Sequence, residues 1–192
     1  MLILASASPI RRKILENVGL EFEVIPANID ENAEKGPEKG LEMIAKRLAE
    51  AKAVAVSRDR PGDWVIGSDS VVGVDGALFN KPASREEAAK HLRSFSGKKM
   101  LLTSGVALAR DGEVDWSHFG RAELDVRNLS EEFIESYLEA EWPEVGKTVG
   151  VFRMEGRGVQ LFDSIAGGHY TILGMPLLPL LKRLRKKGLL QS

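Results

Sequence analysis

The stretch "LILASASPIRRKIL", residues 2–15, decides how the chain begins and what its fold class is. Residues 1–5, "MLILA", read as a buried strand. Ser8 stands where a helix N-cap belongs, with Pro9 at the first helical position. Ile10, Ile14, Leu15 and Val18 then supply an apolar helical face, and Gly19 ends it. A strand that runs straight into a helix N-terminus presents free backbone N–H groups, whose partial positive charge favours an anion. Ser6 and Ser8 add hydroxyls there, and Arg11 or Arg12 adds a fork suited to phosphate oxygens. The same residues also suit a plain capped helix with two solvated arginines, so the stretch alone leaves both readings open.

Beyond it, "EFEVIP" alternates and reads as a second strand, and "ANIDENAEKG" reads as a polar loop. Residues 37–57 read as a long helix with Leu41, Ile44, Ala45, Leu48, Ala51 and Ala55 inward. "WVIGSDSVVGVDG" reads as strand, interruption, strand and a turn at Asp75-Gly76. Ser84 caps a helix through residue 95, with Glu87 at the capping-box position. Residues 99–127 form a long hairpin turning at Asp111-Gly112. Ser130 caps the helix "EEFIESYLEAE", a glycine-rich stretch runs from Gly146 to Gly158, and "VQLFDSIAG" is a last strand. "MPLLPLLKRLRKKG" closes the chain as a basic helix. Strands and helices mix without a strict βαβ rhythm, which predicts a mixed, partly antiparallel sheet with helices packed on it.

Composition bounds the function. The 192 residues are 43% hydrophobic and 29% charged, enough for one domain or two small lobes with a sizeable core. A net charge of -1 predicts no nucleic-acid or membrane partner, so anion binding must come from local Lys and Arg clusters. The absence of cysteine excludes disulfides, thiolate zinc sites and cysteine nucleophiles, and fits the cytoplasm. "MLILA" is too short for the apolar core of a leader, and charge follows it, so no signal peptide is expected. No apolar run reaches the ~18 residues of a membrane helix, and no repeat or low-complexity segment is seen.

Three further sets of residues bear on chemistry. In "IGSDSVV", residues 66–72, Asp69 interrupts an apolar run, and a buried carboxylate needs a partner or a cation. Gly67 allows close backbone approach. Asp69 could hold a divalent metal and activate water, or be a structural residue at a strand kink. Lys52, within the long helix, and Lys81, in "FNKPAS", matter only if the fold brings them to one anion; otherwise they are solvated lysines. Asp30 and Glu31 offer a second carboxylate for a metal, or lie in an exposed loop. His91, His118 and His169 show no metal-ligand spacing, and there is no G-x-x-x-x-G-K-[ST] phosphate loop. "KRLRKKG" reads as the solvated end of an amphipathic helix, its charges suited to the C-terminal dipole.

Together these motifs resemble the Maf family of nucleoside triphosphate pyrophosphatases. "LASASPIRRKIL" resembles the family's opening signature, "GSDSVV" its central aspartate motif, "NKPAS" its Lys-Pro loop and "AEAKA" its helix lysine. "GVFRMEGRGVQLFDSIAG" and "LGMPL" resemble its C-terminal motifs, and the order is kept over nearly the whole chain. The resemblance implies a single domain over residues 1–192, an α/β fold with an elongated mixed sheet of the Maf and ITPase type, flanking helices, and two lobes around a central cleft. It implies hydrolysis of a nucleoside triphosphate to monophosphate and pyrophosphate with a divalent cation, Mg²⁺ or Mn²⁺. It makes Asp69 the catalytic base, Ser8, Arg11, Lys52 and Lys81 phosphate-binding residues, and Glu31 a metal-site carboxylate beside Asp69. Ser6 and Arg12 join them as substrate-binding candidates from the chemistry of the opening stretch.

Base preference falls to Ile10, Ser70 and Glu155. Glu155 in "FRMEG" matches the branch that resembles 7-methyl-GTP pyrophosphatases, and a carboxylate there could accept guanine N1–H and N2–H. Ile10 stands where that branch has tryptophan, and Ser70 where it has glutamine. These departures turn the expectation toward a modified or ordinary purine nucleotide. The expected role is nucleotide-pool housekeeping, and the expected partner is the substrate, with no nucleic acid, no membrane and a homodimer left open. The family's association with septum formation keeps a nucleotide-binding regulator as the alternative.

Overall fold

The computed structural model describes residues 1–34 and 40–191. Its elements run β1 (Leu2–Ala5), α1 (Pro9–Asn17), β2 (Glu23–Val24), α2 (Glu31–Glu34), α3 (Leu41–Asp59), β3 (Trp64–Val74) and β4 (Ala77–Phe79). They continue through α4 (Arg85–Phe95), β5 (Lys99–Arg110), β6 (Glu113–Val126), α5 (Glu131–Glu141), β7 (Phe162–Gly167), α6 (His169–Ile172) and α7 (Leu177–Lys186). The strands form a seven-stranded sheet in the order β2-β1-β3-β5-β6-β7, with β4 also on β3. β1 pairs parallel with β2 and β3, whereas β3–β4 and β6–β7 are antiparallel. The fold is therefore the mixed α/β sheet with flanking helices that the sequence predicts.

The chain divides into two compact units. The first comprises Met1–Ser70, Thr103–Arg121 and Gly168–Ser192. Its core has two faces, sorted by the period-two alternation of strands. Leu2 and Leu4 pack with Ile14 and Leu15 of α1, Ile66, Val106 and Leu108, and the leucines of α7. Ile3 and Ala5 pack with Ala49, Ala53 and Val56 of α3, Val65, Ala107 and Ala109. Burial on both faces explains why β1 is uniformly apolar. The second unit comprises Val71–Leu102 and Ala122–Gly167. There α4 buries Ala88, Ala89, Leu92 and Phe95, and Phe79 of β4 meets Phe95 edge-on at 4.7 Å between ring centres.

Several local expectations are met. Ser8, Ser84 and Ser130 cap α1, α4 and α5, and Asp75-Gly76 and Asp111-Gly112 have the positive φ angles of tight hairpin turns. The Glu87 carboxylate reaches Ala83 N–H at 2.7 Å, one residue before the Ser84 cap.

Others are corrected. β3 runs unbroken through Asp69, because strand alternation turns that carboxylate toward α3, where a lysine meets it. The predicted loop after β2 contains the short helix α2. β2 itself is only two residues long, and β7 begins at Phe162, after a 3₁₀ turn over Arg157–Leu161. α6 was not expected at all. The long helix begins at Leu41 behind Gly40 and continues to Asp59; residues 37–39 of the prediction lie outside the described residues.

The buried face of α3 is also turned relative to expectation. Ala49 and Ala53 are fully buried, while Leu41, Ala51 and Ala55 are only partly so. Gly67 and Gly105 cause this. A Cβ on Gly67 would lie 2.1 Å from Ala49 O, and one on Gly105 2.2 Å from Ala45 O. Two strand glycines thus let the helix backbone settle directly on the sheet, and its alanine row follows them.

Candidate active site

The parallel register of β1 on β3 sets Ala5 beside Gly67. The chain leaving β1 therefore passes next to Ser68–Ser70, at the carboxyl ends of parallel strands, where open α/β sheets bind ligands. In α1, Ser8 Oγ accepts from Arg11 N–H at 3.5 Å, a long cap. Ser6, buried, accepts from Ser8 N–H at 3.2 Å and from Arg11 Nη1 at 3.4 Å. Among the described residues those bonds leave the Ser6 hydroxyl proton uncommitted. Arg11 also donates from Nε to Gly174 O at 2.9 Å and from Nη2 to Ser70 Oγ at 3.0 Å. A guanidinium has five N–H groups. With three engaged in these bonds, Nη1 and Nη2 each keep one for another acceptor. Burial lowers the Arg11 pKa from its ordinary value, and the charges of Asp69 and Glu31 work against that shift.

The opposite face of β3 carries the acid. Asp69 is 8% exposed, and its carboxylate accepts from Lys52 Nζ of α3. Lys52 Nζ also lies 2.7 Å from Glu31 Oε1 at the start of α2. The partner that a buried Asp69 required is thus a lysine shared with a second carboxylate. Two hard oxygen donors converging on one cationic centre suit a divalent ion such as Mg²⁺, which takes one or two carboxylates and completes its shell with water and phosphate. No group of three or more His, Cys, Asp or Glu suited to a metal exists among the described residues, so protein carboxylates alone would not fill such a shell.

Within the first unit Ser6, Ser8, Arg11 and Ser70 thus meet on one face of β3, and Glu31, Lys52 and Asp69 meet on the other. Arg12 behaves differently. Its side chain is 62% exposed and pairs with Glu16 at 2.6 Å along the outer face of α1. Ile10 packs half-buried against the α1–α7 core, and the Ser70 hydroxyl is engaged by Arg11 and Ser104. Lys81 and Glu155 belong to the second unit. Lys81 is exposed in the loop before α4, and Glu155 is exposed in a turn next to the ion pair of Arg153 with buried Glu141.

Sequence reading missed Ser68, Ser104, Thr171 and Gly174. Ser68 Oγ lies 2.7 Å from Gly105 O and 2.9 Å from Gly174 O, which share its one proton, and Ser104 Oγ donates to Thr171 O at 2.7 Å. The available signal was a hydroxyl at an inward position of an apolar strand run, in "IGSDSVV" and again in "LLTSGVAL".

Comparison with known proteins agrees with the motif pattern. A family model described as Maf-like protein matches residues 1–187. A Rhizobium etli protein named 7-methyl-GTP pyrophosphatase is 47% identical over 191 residues, covering 97% of this chain and 96% of that protein. A Nitrobacter hamburgensis protein named nucleoside triphosphate pyrophosphatase is 49% identical over 192 residues, covering 98% and 95%. Among solved structures, the Staphylococcus aureus Ham1 protein aligns over 97% of this chain and 98% of that chain. Its identity is 14% and its TM-score 0.47.

Proposed function

The chain belongs to the Maf-like protein family, and from that premise we propose that it hydrolyses a nucleoside triphosphate to a nucleoside monophosphate and pyrophosphate. The observation that supports the proposal is that one unit holds both the anion seat at the α1 N-terminus and the Lys52–Asp69–Glu31 cluster, whose two carboxylates act electrostatically on Arg11.

A triphosphate carries about four negative charges, so positioning and neutralisation dominate such a reaction. The Ser6 and Ser8 hydroxyls, the Ile10 N–H that follows Pro9 at the start of α1, and the two unengaged Arg11 side-chain N–H groups receive phosphate oxygens. Asp69 acts as general base on the attacking water. The water oxygen bonds to the α-phosphorus, the bond from that phosphorus to the bridging oxygen breaks, and pyrophosphate leaves with the electron pair. Arg11, Lys52, Asp69 and Glu31 together sum to no net charge, so the seat alone does not neutralise the substrate. A divalent cation held by Asp69 and Glu31 supplies the missing positive charge and acidifies water when bound. Lys52, which neutralises the two carboxylates in this structure, completes the cationic set of this unit.

The resemblance carried by Glu155 makes a purine base the preferred partner, since a carboxylate can accept from guanine N1–H and N2–H. Ile10 offers no π-face to a cationic methylated base. Pyrophosphate release should be measured over 7-methyl-GTP, GTP, ITP, ATP, UTP and TTP with Mg²⁺ and with Mn²⁺. Release is expected, with a purine nucleotide giving the highest kcat/KM. Tight nucleotide binding with no release from any of them would overturn the enzymatic reading, and preference for UTP or TTP would overturn the purine assignment.

A further inference from the structure

We propose that Ser104, in the middle of β5, is a positioning residue that fixes the guanidinium of Arg11. The inference rests on reading Arg11 as a phosphate ligand. Ser104 is fully buried and makes two hydrogen bonds through one hydroxyl. Its proton goes to Thr171 O, because a carbonyl can only accept. It must therefore accept from Ser70 Oγ, 2.8 Å away. Ser70 in turn accepts from Arg11 Nη2, because a guanidinium can only donate. The chain Arg11 to Ser70 to Ser104 to Thr171 O has one polarity, set by its two ends.

Ser104 governs a second edge of the same guanidinium. Thr171 O also receives Gly174 N–H at 3.0 Å, which closes the turn after α6. That turn presents Gly174 O to Arg11 Nε at 2.9 Å. Gly174 adopts φ +105°, and a Cβ there would sit 3.3 Å from Ser70 Oγ and 3.4 Å from Arg11 Nε. The turn thus needs glycine and has no slack on the arginine side. Of the three engaged N–H groups of Arg11, one rests on Ser104 through Ser70 and one through the Thr171–Gly174 turn; Ser6 takes the third at 3.4 Å. Removing the Ser104 hydroxyl leaves the proton of half-buried Ser70 without its acceptor and leaves Thr171 O with Gly174 N–H alone, a loss that is disfavoured away from water. The two Arg11 N–H groups left for an anion then lose their fixed plane.

The test uses Ser104→Ala, Ser104→Thr, Ser70→Ala and Arg11→Ala in the full chain. Solvent exchange of the Arg11 Nε proton, followed by NMR and assigned by its loss in Arg11→Ala, is expected to speed up at least tenfold in Ser104→Ala. KM for the nucleotide should rise about tenfold with kcat changed less than threefold, and Ser104→Thr should restore both. In an Arg11→Ala background, Ser104→Ala should change KM no further. If Ser104→Ala does not fold, Ser70→Ala must reproduce the faster exchange and the KM rise. Unchanged Arg11 exchange, or an equal further rise of KM without Arg11, overturns the inference. Failure of the enzymatic reading is distinguishable: wild type would then release no pyrophosphate, while the exchange measurement would still report on Ser104.

Discussion

Gly67→Ala tests the packing that builds the site. The added methyl would lie 2.1 Å from Ala49 O, 2.7 Å from Ala53 N and 2.9 Å from Ala53 Cβ, against 3.4 Å for the near limit of ordinary contact. The first clash is therefore more than 1 Å too deep, and two of the three partners are helix backbone that no rotamer change can remove. Gly67 does not have a positive φ, so alanine would otherwise stabilise the chain by about 0.4–1 kcal/mol through the unfolded state. Over-packing costs about 1–3 kcal/mol, and backbone partners put this case near ~3 kcal/mol. With a urea slope of about 2 kcal/mol/M, the midpoint falls by about 1.5 M. Relief requires α3 to lift from β3 by roughly 1 Å, and those two elements carry Lys52 and Asp69. Displacement on that scale costs on the order of 10²-fold in rate. Gly168→Ala is the control, since its methyl meets nothing nearer than 3.4 Å. Urea unfolding and pyrophosphate release on both variants decide the matter. A Gly67→Ala midpoint within about 0.3 M of wild type, with kcat/KM unchanged, would refute the close-approach argument.

Asp69→Asn should lower kcat by about 10²- to 10⁴-fold, the usual range for a general base, while nucleotide binding by calorimetry survives; near-normal turnover would remove Asp69 from the mechanism. Arg11→Ala should raise KM several-fold more than Arg12→Ala, because Arg12 points along the outside of α1 to Glu16; the reverse order in initial-rate kinetics would show that the wrong arginine was assigned. Asp115 gives a pH-dependent case. Burial pushes its carboxyl pKa up, but hydrogen bonds and charge from Lys187 and Arg183 outweigh that and hold it below the ordinary aspartate value. Asp115→Asn should therefore cost about 1 kcal/mol near neutral pH. A depressed folded pKa contributes stability above the unfolded value near pH ~4 and loses it as pH falls through the folded value. Urea midpoints of the two proteins should converge as pH falls below about 4, and a pH-independent gap would contradict the ion pair.

Most elements were legible because their signals are local. Ser8-Pro9, Ser84 and Ser130 cap helices by satisfying N–H groups within three residues, and the two Asp-Gly pairs adopt turn angles that few other residues accept. The short helices α2 and α6 carry too few residues for a periodic signal. Burial of Asp69 read as an interruption because its partner is 17 residues away in sequence and on another element.

By itself the sequence determined the capped start of α1, the caps and turns, the αβ class and the set of residues from which a phosphate site could be made. It also contained, in "VIGSDS", a strict alternation of side chains. Only the tertiary structure decided what each alternate set meets. Val65, Gly67 and Asp69 face α3, where Gly67 lets the helix sit close enough for Lys52 to reach Asp69. Ile66, Ser68 and Ser70 face α1 and the turn before α7, where the two hydroxyls meet Gly174 O and Arg11. The physical reason is that strand geometry sends neighbours to opposite faces, while the identity of the element on each face depends on packing between segments far apart in the chain.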